Sequence, residues 1–176
     1  MPSAAPAPGP DPVTAAALAA RAGDRAAAEA FVRATQDEVW RLCRFLGTRG
    51  HTDDLAQETF ARAFAGLHRY AGRAPARAWL LGIARNVCAD AVGAAVRERG
   101  RRTTVTPVEP SVADHAGAVH LDLLLEALDP GRREAFVLTQ VLGLPYAEAA
   151  AVCGVPVGTI RSRVARARDD LRAGLA

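Results

Sequence analysis

The end of this chain is its most constraining stretch. From Val155 to Arg168 it reads Val-Pro-Val-Gly-Thr-Ile-Arg-Ser-Arg-Val-Ala-Arg-Ala-Arg, four arginines on an otherwise apolar helical frame. Pro156 suits the first helical position, where its fixed φ helps and its missing N–H costs nothing. Ile160, Val164 and Ala167 recur at the i, i+4, i+7 spacing of a buried stripe, while Arg161, Arg163, Arg166 and Arg168 fall within about two turns. The preceding segment, Pro145 to Gly154, reads as a short helix ended by a glycine. Together they make two helices joined by a tight turn, with one side of the second anchored and the other cationic, an architecture that suits reading DNA.

The rest of the chain is also helical in pattern. Half of its 176 residues are apolar, rich in Ala and Leu, and alternating runs of Val, Ile and Thr are missing. The expectation is an all-α fold of two small helical domains joined by a flexible linker, the C-terminal one carrying the helix-turn-helix. The formal charge is +3, and all 22 basic residues are arginine. Genome composition is the favoured explanation of an arginine-only chain, but guanidinium suits bidentate contacts to phosphate and guanine. Residues 13–100 hold thirteen arginines against nine acids, whereas 121–176 balances seven against seven, so the net charge hides a local positive cluster near the end. Cys43, Cys88 and Cys153 are far apart and sit in apolar helical patterns. They read as core thiols in a reducing cytoplasm rather than as metal ligands, since neither Cys-x-x-Cys nor closely spaced His partners occur. No metal or cofactor is expected. No apolar run is expected to span a bilayer and the N-terminus lacks a basic-then-apolar leader, which points to a cytoplasmic chain with no membrane partner.

Along the chain, residues 1–12 read as a disordered proline-rich tail and 13–100 as a first helical domain. Within that domain one helix should run from an Asp24 cap to Leu46, with Phe31, Val39, Leu42 and Leu46 on one face and Gly47 as its stop. A second should follow a Thr52 cap through Leu67, burying Ala56, Phe60, Ala63, Phe64 and Leu67. A loop over 68–75 then leads into a helix from about Pro75 to Arg99 that buries Leu80, Ile83, Val87 and Ala91. Residues 101–120 read as a linker, and 121–176 as a second domain whose Asp129-Pro130 pair starts a helix ending near Gly143.

Three segments agree in order with one known family: Asp53 to Phe64, Arg77 to Asn86, and the C-terminal helix pair. The chain resembles the extracytoplasmic-function (ECF) sigma factors of RNA polymerase over about residues 15–174, and its linker is too short to be the extra domain of larger sigma factors. The resemblance implies promoter-specific transcription initiation, with core RNA polymerase (the β′ clamp helices and the β flap), promoter DNA and an anti-sigma factor as partners. It implies that Asp54, Gln57, Glu58 and Arg62 dock on the polymerase. It assigns the −10 element and its melting to Tyr70, Arg73, Arg77, Trp79, Asn86, Asp90 and Arg97. The −35 element falls to α-helical residues of the last segment, with Arg161, Ser162 and Arg166 toward base edges and Thr159 and Arg163 toward phosphates. Two departures stand out: Pro145 replaces a common Ser cap, and Ala165 is small where a larger side chain is common.

Other readings remain open on the residues alone. The polar face around Glu58 and Arg62 could be a solvated surface with intrahelical pairs, and Trp79 could be a core residue. An enzyme is the rival from another class, but Ser111, Ser162, Asp114 and His115 give no nucleophile-base constellation and there is no phosphate-cradling loop. A two-domain regulator that binds DNA as a dimer shares the helix pair, yet its sensing domain would normally contain strands.

Overall fold

The computed structural model describes residues 9–101 and 116–174, and among the described residues all regular structure is helical. The first domain comprises α1 (Pro12–Arg21), α2 (Arg25–Leu46), α3 (Thr52–Gly66), a 3-10 turn at Leu67–Arg69 and α4 (Ala76–Arg101). The second comprises α5 (Ala116–Ala127), α6 (Pro130–Phe136) continuing into a π turn at Val137–Val141, α7 (Tyr146–Cys153) and α8 (Val157–Gly174).

Capping fixes the starts. Asp24 accepts from the Ala27 N–H to open α2, and Asp129 accepts from the Gly131 and Arg132 N–H groups to open α6 with Pro130 at its first position. One cap lies where the sequence suggested a tail: Asp11 accepts from Val13 and Thr14 and Pro12 is helical, so a single proline at the first turn begins a helix rather than prevents one. The expected tail otherwise falls on residues 1–8, outside the described residues, as does most of the expected linker, 102–115. The linker's two ends are helical, Arg101 closing α4 and residues 116–120 opening α5.

Gly47 ends α2 as expected. A Cβ there would collide with the Cys43 carbonyl oxygen and the Leu55 side chain, so the chain can turn into α3 only at a glycine. In α3 the buried positions are Leu55, Thr59 and Ala63: Ala63 is buried as expected and so is Leu67 just beyond, Ala56 and Phe60 are half-buried, and Phe64 is 39% exposed. The difference has a local cause: the Thr59 hydroxyl donates to the Leu55 carbonyl at 2.7 Å, which lets a polar residue occupy the core face.

Helix α4 packs against α1, α2 and α3 and also against α7 of the second domain. By length and composition it is apolar enough to cross a membrane, contrary to the sequence expectation; here its apolar length serves as the central core helix, burying Leu80, Leu81, Ala84, Val87 and Cys88. Its start is fixed by the buried Thr14, whose hydroxyl donates to Asp11 at 2.6 Å and accepts from the Ala76 N–H at 2.9 Å. In the second domain Arg133 donates to the Glu126 carbonyl at 2.6 Å, closing the end of α5.

Candidate nucleic-acid interface

The helix pair is built as its sequence suggests. Gly154 ends α7 at φ 65°, a left-handed conformation that favours glycine, and Ile160, Val164 and Ala167 of α8 are fully buried. Pro156 sits one residue earlier than expected: α8 begins at Val157, and the Pro156 carbonyl accepts from the Thr159 and Ile160 N–H groups. Pro145 precedes α7 with no side-chain cap. Arg161, Ser162 and Arg166 are exposed along α8, and Ser162 donates to the Thr159 carbonyl at 3.0 Å. Among the described residues Arg161 and Arg166 have no hydrogen-bond or ion-pair partner, so both guanidinium forks are free to meet a ligand. Thr159 is half-buried. Arg163 is half-buried too, because its guanidinium lies over Gly131, where an added Cβ would be 3.1 Å from Cζ. Arg168 is held by Gln140 at 2.7 Å and Arg132 by Asp170 at 2.6 Å, two ties to α6 and its π turn that spacing along α8 could not reveal.

The residues expected at the −10 element are divided. Arg73 and Asn86 are exposed, and so is Arg97, whose guanidinium folds back over Gly93. Tyr70 is a correction: it is 5% exposed, donates its hydroxyl to the Ala74 carbonyl at 2.5 Å, and lies 4.8 Å from the Trp79 ring centroid at a 33° tilt. Burial pushes its hydroxyl pKa up, and its ring braces the loop rather than awaiting a base. Trp79 is half-buried against it. Asp90 is exposed and pairs with Arg62 of α3 at 2.8 Å. Arg77 is half-buried, pairs with Glu38 at 2.6 Å and also donates to the Leu142 carbonyl.

The expected docking residues share one exposed arc of α3. Asp54 and Gln57 border an open groove of about 630 Å³ between α2 and α3, which Trp40 and Phe60 line from either side. Trp40 is 39% exposed and is oriented by its indole N–H, which donates to Asp53 at 2.9 Å. Glu58 pairs with Arg62 at 2.7 Å, the intrahelical pair that the sequence allowed, and Asp90 holds the raised-pKa Arg62 guanidinium from the other side. Helical spacing placed Phe64 in the core and left Trp40 off the buried face of α2 without a role; the nearby acidic pair Asp53 and Asp54 was the available signal for an exposed aromatic site.

Arginines of the first domain also cross to the second. Arg44 meets Asp122 at 2.8 Å, Arg49 forms two 2.5 Å bonds to Glu126, and Arg85 pairs with Glu134, whose side chain is 14% exposed. Arg85 additionally donates to Asn86 at 3.3 Å.

Comparison with known proteins identifies the family of both domains. Sigma-70 region 2 matches residues 31–101, and Sigma-70, region 4 matches residues 119–171. The chain is 50% identical over 167 residues to the ECF RNA polymerase sigma factor SigC of Mycobacterium tuberculosis, covering 92% of this chain and 90% of that protein. It is 36% identical over 171 residues to the ECF RNA polymerase sigma factor SigE of Mycolicibacterium smegmatis, covering 88% of this chain and 65% of that protein. The solved structure of CnrH in complex with the cytosolic domain of CnrY superposes with a TM-score of 0.76 at 30% identity, covering 94% of this chain and 97% of that one. The sigma factor RpoE in complex with the anti-sigma factor NepR from Bartonella quintana superposes with a TM-score of 0.71 at 26% identity, covering 84% of this chain and 95% of that one.

Proposed function

Because this chain belongs to the ECF family of RNA polymerase sigma factors, we propose that it directs initiation by reading a bipartite promoter with its two domains while docked on core polymerase. As a member of that family it is an alternative sigma factor, an initiation factor whose chemistry is the polymerase's own. Its place of action on this reading is the cytoplasm, with the polymerase. Helix α8 enters the −35 major groove with Arg161, Ser162 and Arg166 toward base edges, and the second domain rests on the β flap. The α2–α3 groove, through Asp54, Gln57 and Glu58 beside Trp40 and Phe60, receives the β′ clamp helices. Arg73, Trp79 and Asn86 form the −10 side, which opens the duplex without ATP by holding an unstacked base. An anti-sigma factor is a further partner, supported by the Bartonella quintana neighbour, which was solved with an anti-sigma factor bound.

The observation that carries this reading is the pair of exposed arginines on α8, Arg161 and Arg166, without partners among the described residues and opposite a fully buried stripe. Arginine bonded bidentately to guanine O6 and N7 is the commonest specific base contact. In vitro transcription of fragmented genomic DNA from the source organism, with core polymerase in the presence and absence of this protein, tests it. New starts sharing two upstream elements support the reading. Specific DNA binding by the protein alone, with no new starts, would favour a two-domain regulator.

A further inference from the structure

Helix α8 is held on both flanks by one neighbour. At about 3.6 residues per turn, Arg168 lies two turns beyond Arg161 on one side of the buried stripe, and Asp170 lies one turn beyond Arg166 on the other. Helix α6 and its π turn pack along α8 and reach both sides. On the first, Arg168 donates to Gln140 Oε1 at 2.7 Å. On the second, Arg132 donates to Asp170 at 2.6 Å, and the Arg163 guanidinium lies over Gly131, the residue before Arg132. Gln140 is itself oriented from below: its Nε2 donates to the Thr139 hydroxyl at 2.9 Å, and the buried Thr139 hydroxyl donates to the Ala135 carbonyl at 2.7 Å. The π turn carries this amide, with the Leu142 N–H reaching back to the Val137 carbonyl at 2.9 Å.

The stripe of Ile160, Val164 and Ala167 keeps α8 against the core, but apolar contact is non-directional and restrains depth more than roll. Hydrogen bonds are directional, and two of them on opposite flanks oppose rotation in both senses. A roll of about 30° swings a group roughly 6 Å from a helix axis by about 3 Å, close to the rise of about 3.4 Å between bases along a DNA strand. We infer that Gln140 and Asp170 are positioning residues for −35 recognition, fixing the roll of α8 and thereby which bases Arg161 and Arg166 meet. The −35 role rests on the sigma factor reading above; the fixed roll does not. Neither residue needs to touch DNA. Gln140 acts through Arg168, on the flank that carries Arg161, and Asp170 acts through Arg132, on the flank that carries Arg166.

Competition binding of holoenzyme to the promoter duplex found by transcription, against each single-base change in the −35 element, tests the role. Gln140→Ala should lower selectivity at the base pair whose preference Arg161→Ala flattens, and Asp170→Ala at the one that Arg166→Ala flattens. Each loss should be roughly threefold to tenfold, a fraction of the whole contact. Selectivity is a ratio between duplexes, so the charge that Asp170→Ala removes cancels. Gln140→Glu and Asp170→Glu keep an acceptor for Arg168 and Arg132 and should retain most of the wild-type selectivity. Undiminished selectivity in the double alanine variant would overturn the inference. So would equal losses in Gln140→Ala and Gln140→Glu, which would mean that the amide meets DNA itself.

The roll itself is read without polymerase or DNA. In the free full chain the phase of the residual dipolar couplings along α8 reports its roll relative to α6. In the double variant Gln140→Ala with Asp170→Ala that phase should shift by about 30°, the roll that moves a guanidinium by nearly a base step. Should the double variant unfold, the two single variants carry the same measurement, since each removes only a partly solvated partner. An unchanged phase in the folded variants would overturn the positioning role whatever the binding result. If wild type adds no new starts with core polymerase, the sigma factor reading fails and the −35 role with it, while the shift in roll still stands.

Discussion

Arg161 offers the sharpest test of how α8 reads DNA. Its side chain is exposed and makes no hydrogen bond or ion pair among the described residues, so replacing it with alanine breaks nothing in the free protein. Alanine is also the best helix former, and α8 keeps its buried stripe of Ile160, Val164 and Ala167. The expected change in folding stability is therefore within about 0.5 kcal/mol. Loss of a bidentate guanine contact costs about 1–3 kcal/mol of discrimination, a factor of roughly 5 to 150 in affinity. Arg161→Lys separates base reading from charge, because an ammonium keeps the charge but not the planar fork.

The assay is binding of holoenzyme to the promoter duplex found by transcription, against duplexes carrying each single-base change in the −35 element. Arg161→Ala and Arg161→Lys should both flatten the preference at one base pair while leaving preferences elsewhere intact. Wild-type selectivity in Arg161→Lys, with uniform weakening in Arg161→Ala, would refute base reading and reassign Arg161 to a phosphate.

The double change Asp54→Ala with Glu58→Ala should weaken core polymerase binding before it affects melting temperature, because both carboxylates are exposed and their pairs with His51 and Arg62 are surface pairs; gel filtration with core polymerase and a thermal scan check the two arms. Thr14→Val should lower the melting temperature by a few degrees per kcal/mol for about 1–3 kcal/mol, since it strands the buried Ala76 N–H at the start of α4. The Thr14 hydroxyl, helped by the Val13 and Thr14 N–H groups, holds the Asp11 carboxyl below its ordinary 3.8. The α1 cap is thus fully present above that pH and lost as pH falls through the lower folded value, and NMR titration of Asp11 should move toward 3.8 in Thr14→Val. Cys88 and Cys153 should resist a thiol reagent at pH 8 until denaturant is added: burial pushes Cys153 up to about 12, and Cys88 is raised by its hydrogen bond to Cys43 and by burial; Cys43 is lowered by that same hydrogen bond, and its protection rests on burial alone. Prompt labelling of the native chain would contradict that core placement.

Where a helix buries one stripe, its sequence was legible. The bounds and cap of α2, the Asp129 cap and Pro130 start of α6, the Gly154 turn and the α8 core all follow from local signals, whereas the end of α6 at Phe136 and the π turn over Val137–Val141 do not. The failures share a different cause. Helix α4 is surrounded by α1, α2, α3 and α7, so its apolar residues spread around the circumference and periodicity no longer separates core from surface. Tyr70 looked like a stacking platform because its type suits one, yet its burial depends on Trp79, nine residues away, and on the Arg21 bond to its carbonyl at 2.7 Å. Phe64 erred in the opposite direction: its face of α3 is left open by the path of α2, which no spacing within α3 encodes. Long-range partners such as Asp90 for Arg62, or Glu134 for Arg85, carry no local signature at all.

The arginines divide by what they already hold, and the division orders the events of promoter binding. Arg161 and Arg166 on α8 are unpartnered among the described residues, whereas Arg77 and Arg85 on α4 are each bonded to oxygen acceptors. A guanidinium already bonded to a carboxylate or carbonyl oxygen must surrender that bond before it meets a phosphate, so its net gain on DNA is only the difference between the two. The α8 arginines exchange nothing but water. On the sigma factor reading, contact of Arg161 and Arg166 with the −35 element therefore needs no rearrangement of the chain, while Arg77 and Arg85 can meet DNA only by giving up Glu38, the Leu142 carbonyl and Glu134.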